Sequence, residues 1–416
     1  MSEAAKAPKG TFDVLPENAR ARDRVERAVR DIFGRAGYGR IETPVFEDTE
    51  LFERGVGEAT EVVQKEMFTF EDRGGRSVTL RPEGTAPVCR AYIEHGMHKL
   101  AQPVKLFYWG PFFRYEAPQA GRYRQFHQFG AEAIGSEEPL VDAEVIMLFD
   151  DLLSELGVPG VELRLSSLGS PESRLAYREE LAAYLRSNES RLSREVRERI
   201  DANPLRAFDS KDEGTREVMV DAPRLLERLD GADAEHFEAV RALLDANGVS
   251  YVIDDTLVRG LDYYTRTVFE FNSDRLGAQS QLGGGGRYDS LVSQLGGPPT
   301  PAAGWAAGIE RILLAIGDDL GVEAERRDAF VAATTDEQRG KAVALVAELR
   351  NAGLSAELDL AGRGLKGQLK QANRIGARAA LIIAEDGSMQ LRDMETGVQR
   401  PVEAGRVTEE LGRERP

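Results

Sequence analysis

Residues 107–132 read FYWGPFFRYEAPQAGRYRQFHQFGAE, and this run decides the fold. Two aromatic-rich stretches, 104 to 116 and 123 to 135, flank APQAGR, where Pro118 and Gly121 supply turn chemistry. The spacing predicts a long antiparallel hairpin. A side-chain period of two puts Arg124, Phe126, Gln128, Gly130 and Glu132 on one face of the second strand, and His127, Phe129 and Ala131 on the other, which reads as core. A strand face that carries an amide and a carboxylate around a glycine needs partners, because a desolvated carboxylate without one is costly. Either a neighbouring strand's arginine pairs with it, or the face floors a ligand pocket at Gly130 with Gln128 and Glu132 as specificity contacts. These residues alone leave both readings open.

Working outward, apolar positions at helical spacing (Val25, Val29, Ile32, Phe33) predict a helix over 18 to 37. Tyr38 to Phe46 reads as a strand, and Pro44 within it demands an edge or interface position. SVTLRPEGTAPVCRAYIEHG (77–96) reads as a strand ending at Leu80, a turn at Arg81 and Pro82, and a helix to about His95. From Pro171 to about Asn247 the text turns rich in Glu, Arg, Leu and Ala with helical periodicity, a helical insertion. Strand-like text returns at Val249 to Asp254 and at 267 to 271, followed by GGGGRYD and an amphipathic helix at about 305 to 317. After a charged linker, strands and helices alternate: AFVAAT, 336 to 351, SAELDL, 363 to 375 and AALIIAE. That pattern is a small α/β domain with a mixed or parallel sheet.

Composition bounds the function. A chain of 416 residues exceeds what one core usually supports, so two or three domains are expected. The net charge of -17 excludes a nonspecific coat on nucleic acid, and any such contact must be local. Cys89 stands alone, and His95, His98, His127 and His236 give no zinc spacing. No apolar run reaches membrane-spanning length and MSEAAKAPKG lacks the apolar core of a signal peptide, so a cytoplasmic protein without a membrane partner is expected.

Three arginines from separated segments, Arg114, Arg259 and Arg311, with no lysine-rich patch beside them, point to a compact anion that develops charge during a reaction. LVRGLDYYTRTVFEF (257–271) places Arg259 before a glycine and then the Tyr263 and Tyr264 pair, whose hydroxyls need partners. The run at 283 to 286 lets backbone approach a ligand or supports a bulge. Neither a P-loop lysine nor a G-x-G-x-x-G turn accompanies it.

FRYEAPQAGRYRQFHQFGAE (113–132) resembles motif 2 of the class II aminoacyl-tRNA synthetases, GWAAGIERILLA (304–315) resembles their motif 3, and the Pro44 strand with its preceding helix resembles motif 1. LVRGLDYYTRTVFEF and GGGGRYDSLVSQLGG (283–297) are similar to the two signatures of the histidyl-tRNA synthetase family. PKGTFDVLP (8–16), LRPEGTAPVCRAY (80–92), SLGSPESR (167–174) and NPLRAFDSKD (203–212) extend the likeness over essentially the whole chain.

The resemblance implies an α+β catalytic domain with an antiparallel sheet over 1–325, carrying a helical insertion at about 171–249, and a C-terminal α/β anticodon-binding domain over 328–416. It implies ATP-dependent activation of L-histidine, transfer to the 3' end of the histidine tRNA, a homodimer, and Mg²⁺ accompanying ATP without a cage of protein ligands. By position, Arg114 and Arg259 would hold the α-phosphate and substrate carboxylate, and Arg311 the terminal phosphates. Glu83, Thr85 and Gln128 would bind the α-amino group, and Glu132, Tyr263, Tyr264 and Tyr288 would surround the imidazole. A neutral imidazole offers one donor and one acceptor, which a carboxylate facing a phenol can meet. Gln119 and Arg122 would approach the acceptor end. Residues 361 to 378 hold Arg363, Lys366, Lys370 and Arg374 with no acid among them, a local excess that favours phosphate. The competing readings are the family's regulatory paralogue, which assists a phosphoribosyltransferase of histidine biosynthesis, and the prolyl or threonyl synthetases, which lack the paired signatures.

Overall fold

Val25, Val29, Ile32 and Phe33 form the buried stripe of a helix, Pro16–Arg35, whose leading proline removes no hydrogen bond from the helix interior. The structure, a computed structural model, describes residues 4–57, 60–201, 203–257, 260–317 and 326–413. The chain divides into two units, Met1–Gly321 and Val322–Pro416.

The first unit contains β1 (Gly39–Arg40), β2 (Phe46–Asp48), β3 (Phe68–Glu71), β4 (Ser77–Leu80), β5 (Val104–Phe113), β6 (Gln125–Ile134), β7 (Val161–Ser167), β8 (Val252–Ile253), β9 (Thr265–Ser273), β10 (Gln281–Arg287) and β11 (Ala302–Gly308). Eight of them make one sheet in the order β1-β5-β6-β11-β10-β9-β7-β8, and β2-β4-β3 make a small antiparallel sheet. The hairpin predicted from the opening stretch is β5 and β6, in register from Val104 opposite Ile134 to Phe113 opposite Gln125. The six central strands are antiparallel, but the edge pairs β1–β5 and β7–β8 are parallel. Both parallel pairs are joined by long connections, as parallel pairing requires.

The single strand expected from Tyr38 to Phe46 is two short strands, and Pro44 sits in the coil between them. The buried Arg81 holds that coil, donating to Thr43 O at 3.0 Å through Nη1 and to Pro111 O on β5 at 2.9 Å through Nε. The helix expected from about 305 starts only at Ile309 and runs to Ile316, because GWAAG is β11. Its residues alternate: Gly304, Ala306 and Gly308 face one way, and Trp305 and Ala307 the other. Trp305 stacks on Phe149 of the helix Pro139–Glu155 at 4.1 Å and meets Phe33 and Phe129 edge-on at 5.8 and 5.7 Å. Burying each such ring contributes about 1.5–3 kcal/mol. One face of the sheet is thereby sealed by two helices, and chemistry is left to the other.

Between β7 and β8 lie the helices Pro171–Ser187, Arg194–Arg199, Glu213–Val220 and Gly231–Ala246. Ser170, Ser193, Asp212 and Asp230 cap them, each side chain accepting a backbone N–H, an arrangement worth about 1 kcal/mol apiece. The strand expected over Val249 to Asp254 is confined to Val252–Ile253.

The second unit is a mixed sheet of β12 (Ala329–Ala333), β13 (Ala356–Leu358), β14 (Ala379–Ile383), β15 (Met389–Asp393) and β16 (Gln399–Val402), ordered β13-β12-β14-β15-β16. The first three are parallel and the last two antiparallel. Alternate residues of β12 enter different cores: Ala329, Val331 and Ala333 join Leu345 and Leu349 of the helix Asp336–Asn351, while Phe330 and Ala332 join Ala372 of the helix Leu365–Arg374. Among the described residues no helix is long and apolar enough to cross a membrane.

Candidate active site

On the open face of the sheet a cavity of about 290 Å³ is lined by Glu83, Thr85, Arg114, Arg122, Gln128, Tyr263, Tyr264 and Arg311, among others. Its concavity follows from sheet register. Gln128 on β6 stands between Gly110 and Gly308, Gly130 between Tyr108 and Ala306, and Glu132 between Leu106 and Gly304. On β10, Gly284 and Gly286 oppose Ala306 and Gly304. Small residues thus occupy most of the open face, which is how the glycine run serves the site. Gly283 and Gly285 face the helices, where a Cβ would collide with the backbone of β11.

Arg114 follows β5 directly. Its Nε donates to Pro82 O at 2.9 Å, and its guanidinium lies 5.7 Å from the centre of the Phe126 ring. Arg311 leaves the first turn of the helix Ile309–Ile316, and burial pushes its pKa down, assisted by Arg122. Glu310 beside it accepts from His127 N at 3.1 Å and from Arg22 Nη2 at 2.6 Å, which ties this helix to the hairpin and to the N-terminal helix. Glu83 accepts the N–H groups of Thr85 and Ala86 at 2.7 and 3.0 Å, at the start of the helix Thr85–Glu94. Burial nevertheless raises its pKa. Gln128 Oε1 is buried with no hydrogen-bond partner among the described residues, an orphaned acceptor beside the cavity.

Glu132 and Tyr288 are buried and do not themselves line the cavity. The Glu132 carboxylate is fully buried and accepts the Thr85 hydroxyl at 2.7 Å and the Tyr288 hydroxyl at 2.5 Å. No arginine pairs with it among the described residues, which removes the ion-pair reading. Burial pushes its pKa up to about 8, with the Glu83 charge adding to the rise and the hydroxyls opposing it. Nor does Gly130 floor the pocket. A Cβ there would overlap the Tyr108 hydroxyl, and one at Gly84 would come within 2.5 Å of the same ring, so Tyr108 lies between two glycines. Sequence reasoning missed Tyr108, although it follows from the hairpin register, where it opposes Gly130.

Gly304 clears the space for the carboxylate, since a Cβ there would overlap Glu132 Oε2. Gly304→Ala is therefore expected to lower the melting temperature by several degrees and to remove amino-acid binding, read by thermal melts with and without amino acid.

Arg259 lies outside the described residues, while its neighbour Gly260 lines the cavity. In the hairpin loop, Arg122 lines the cavity and pairs with Glu116 at 3.2 Å; Gln119 does not line it, although its backbone pairs with that of Arg122. In the second unit, Lys366, Lys370 and Arg374 are exposed along the helix Leu365–Arg374, and Arg363 precedes it. Asp359, just outside the acid-free stretch, already pairs with Arg363 at 2.7 Å. No group of three or more His, Cys, Asp or Glu gathers for a metal among the described residues.

A family model for histidyl-tRNA synthetase matches residues 10–312, and one for an anticodon binding domain matches 328–414. The chain belongs to the histidyl-tRNA synthetase family. It is 48% identical over 412 residues to the histidine--tRNA ligase of Desulforudis audaxviator, covering 98% of both chains. Among solved structures, apo histidyl-tRNA synthetase from S. aureus is similar at a TM-score of 0.83 and 37% identity, over 98% of this chain and 100% of that one. An ATP phosphoribosyltransferase regulatory subunit/histidyl-tRNA synthetase from Bacillus halodurans is similar at 0.67 and 25% identity, over 92% and 99%. The family fold accounts for the large mixed sheet and for the separate C-terminal α/β unit.

Proposed function

We propose that the protein is a histidine--tRNA ligase that activates L-histidine with ATP and transfers it to the 3' end of the histidine tRNA. The observation that carries this reading is one cavity lined by the cations Arg114 and Arg311 and by Thr85, whose hydroxyl joins the buried Glu132 and Tyr288 network. Phosphate and a polar amino acid need those two chemistries side by side.

In the first step the histidine carboxylate forms a bond to the α-phosphorus of ATP and pyrophosphate leaves, so no protein base is needed, and positioning and charge neutralisation supply the rate. Arg114, with Arg259, takes the α-phosphate and carboxylate, and Arg311 the terminal phosphates. Glu83, Thr85 and the orphaned Gln128 acceptor suit an ammonium group. Tyr263 and Tyr264 line the ring's place, with Glu132 and Tyr288 behind them. In the second step the terminal adenosine hydroxyl attacks the histidyl carbonyl and AMP leaves.

Mg²⁺ would accompany ATP, with the phosphates and water supplying most of its ligands and its charge offsetting that of the phosphates. Residues 1–325, with the insertion at about 171–249, carry catalysis, and 328–416 meet the anticodon through Lys366, Lys370 and Arg374, with Arg363 beside them. Arg122 and Gln119 approach the acceptor end. The enzyme works as a cytoplasmic homodimer.

Pyrophosphate exchange with each of the twenty amino acids tests the reading: exchange with histidine alone is expected, and exchange with another amino acid instead would refute it. Removing residues 328–416 is expected to reduce tRNA charging by about 10²-fold or more while leaving exchange within a few fold. Equal losses would count against a separate anticodon module.

A further inference from the structure

The helical insertion grips the segment behind the cavity through two guanidinium groups that take no part in the reaction proposed above. Arg174, in the first turn of the helix Pro171–Ser187, donates through Nη1 to the main-chain oxygen of Tyr264 at 2.7 Å. Two residues on from Tyr264, Arg266 adopts a φ of 45°, the one positive φ outside glycine among the described residues. Side chains with a Cβ rarely adopt that conformation, which persists where the surroundings over-determine it.

The surroundings do so here. Arg266 N donates to Gly169 O at 2.8 Å and Leu168 N donates to Arg266 O at 2.7 Å. Arg266 Nε donates to Asp233 Oδ1 at 3.1 Å. Asp233 belongs to the first turn of the helix Gly231–Ala246, is buried, and also accepts Ser170 N at 2.6 Å and the Ser173 hydroxyl at 2.9 Å. The first and last helices of the insertion are thus tied to each other and to residues 264–266. At the same point the β9–β10 register shifts, Gly286 opposing Val268 and Arg287 opposing Thr265. A bulge of this kind re-aims the chain beside it, and that chain carries Tyr263 and Tyr264, both lining the cavity.

We propose that Arg174 and the Arg266–Asp233 pair are positioning residues through which the helical insertion sets Tyr263 and Tyr264 against the amino-acid end of the cavity. The inference rests on the histidine reading of that site. It makes amino-acid recognition, and not ATP binding, depend on an element that contributes no side chain of its own to the chemistry.

The test is histidine-dependent exchange on the full chain, with KM measured for both substrates in Arg174→Met, Arg174→Lys and Arg266→Gly, alongside melting temperatures. For Arg174→Met and Arg266→Gly, histidine KM is expected to rise about 10-fold, while ATP KM changes by less than about twofold. Arg174→Lys retains a donor for Tyr264 O and is expected to restore histidine KM to within about threefold of the parent value. A parallel rise in both constants, or no rise in folded variants, overturns the proposal. Should Arg174→Met fail to fold, Arg266→Gly carries the same comparison, because glycine accepts the positive φ. A parent chain with normal melting but no histidine-dependent exchange would defeat the site reading itself, and this inference with it.

Discussion

Arg114→Ala is expected to lower histidine-dependent pyrophosphate exchange by about 10³-fold, the scale seen when a positioned cation or donor is taken from a transition state that gathers charge. The side chain is fixed at its root rather than at its tip. Nε is engaged by Pro82 O and the guanidinium lies over Phe126, while among the described residues Nη1 and Nη2 have no hydrogen-bond partner. A planar fork held in this way can meet two oxygens at once, which a lysine ammonium cannot. Arg114→Lys should therefore recover only part of the loss. Folding should survive, because one hydrogen bond to a carbonyl and one ring contact together contribute about 1–2 kcal/mol. Exchange in Arg114→Ala within a few fold of the parent, with an unchanged melt, would remove this residue from the chemistry.

How much of this was legible in the sequence depended on how local the signal was. The hairpin, the Pro16–Arg35 stripe and the alternation in the second unit are short-range patterns, and period and turn chemistry specify them. GWAAG was misread because it borders a strongly amphipathic helix. Its own period of two, with Trp305 buried among Phe33, Phe129 and Phe149, becomes visible only once its neighbours are known. The parallel edge pairs are set by distant connections and leave no local trace. Within the site, Arg114, Arg311, Gln128 and the tyrosine pair line one cavity. Tyr108 went unseen because an aromatic on a strand ordinarily signals packing, and only its crossing of Gly84 and Gly130 marks it as part of the site's support. The Arg266 backbone and its Asp233 partner are likewise tertiary facts.

Glu132→Gln should separate recognition from stability, in opposite directions. Glu132 fixes the hydroxyls of Tyr288 and of Thr85, which lines the cavity, so rearranging that network is expected to raise histidine KM roughly 10-fold with ATP KM nearly constant. The fold should respond otherwise. Burial pushes the Glu132 pKa up to about 8 from the ordinary value of 4.5, so between those limits the folded chain holds a proton that the unfolded chain has lost. Its contribution to stability is complete below about pH 4.5 and is lost as pH rises through 8, with a slope of at most about 1.4 kcal/mol per pH unit. Glutamine has no proton to lose. The variant is therefore expected to melt progressively higher relative to the parent between pH 5 and pH 8, by several degrees in all. Thr85 and Tyr288 can still satisfy the amide, since hydroxyls rotate to accept as well as donate. If the two melting curves stay parallel across that range, Glu132 is already ionised in the folded protein. The carboxylate would then be held by its hydroxyl partners strongly enough to offset its burial.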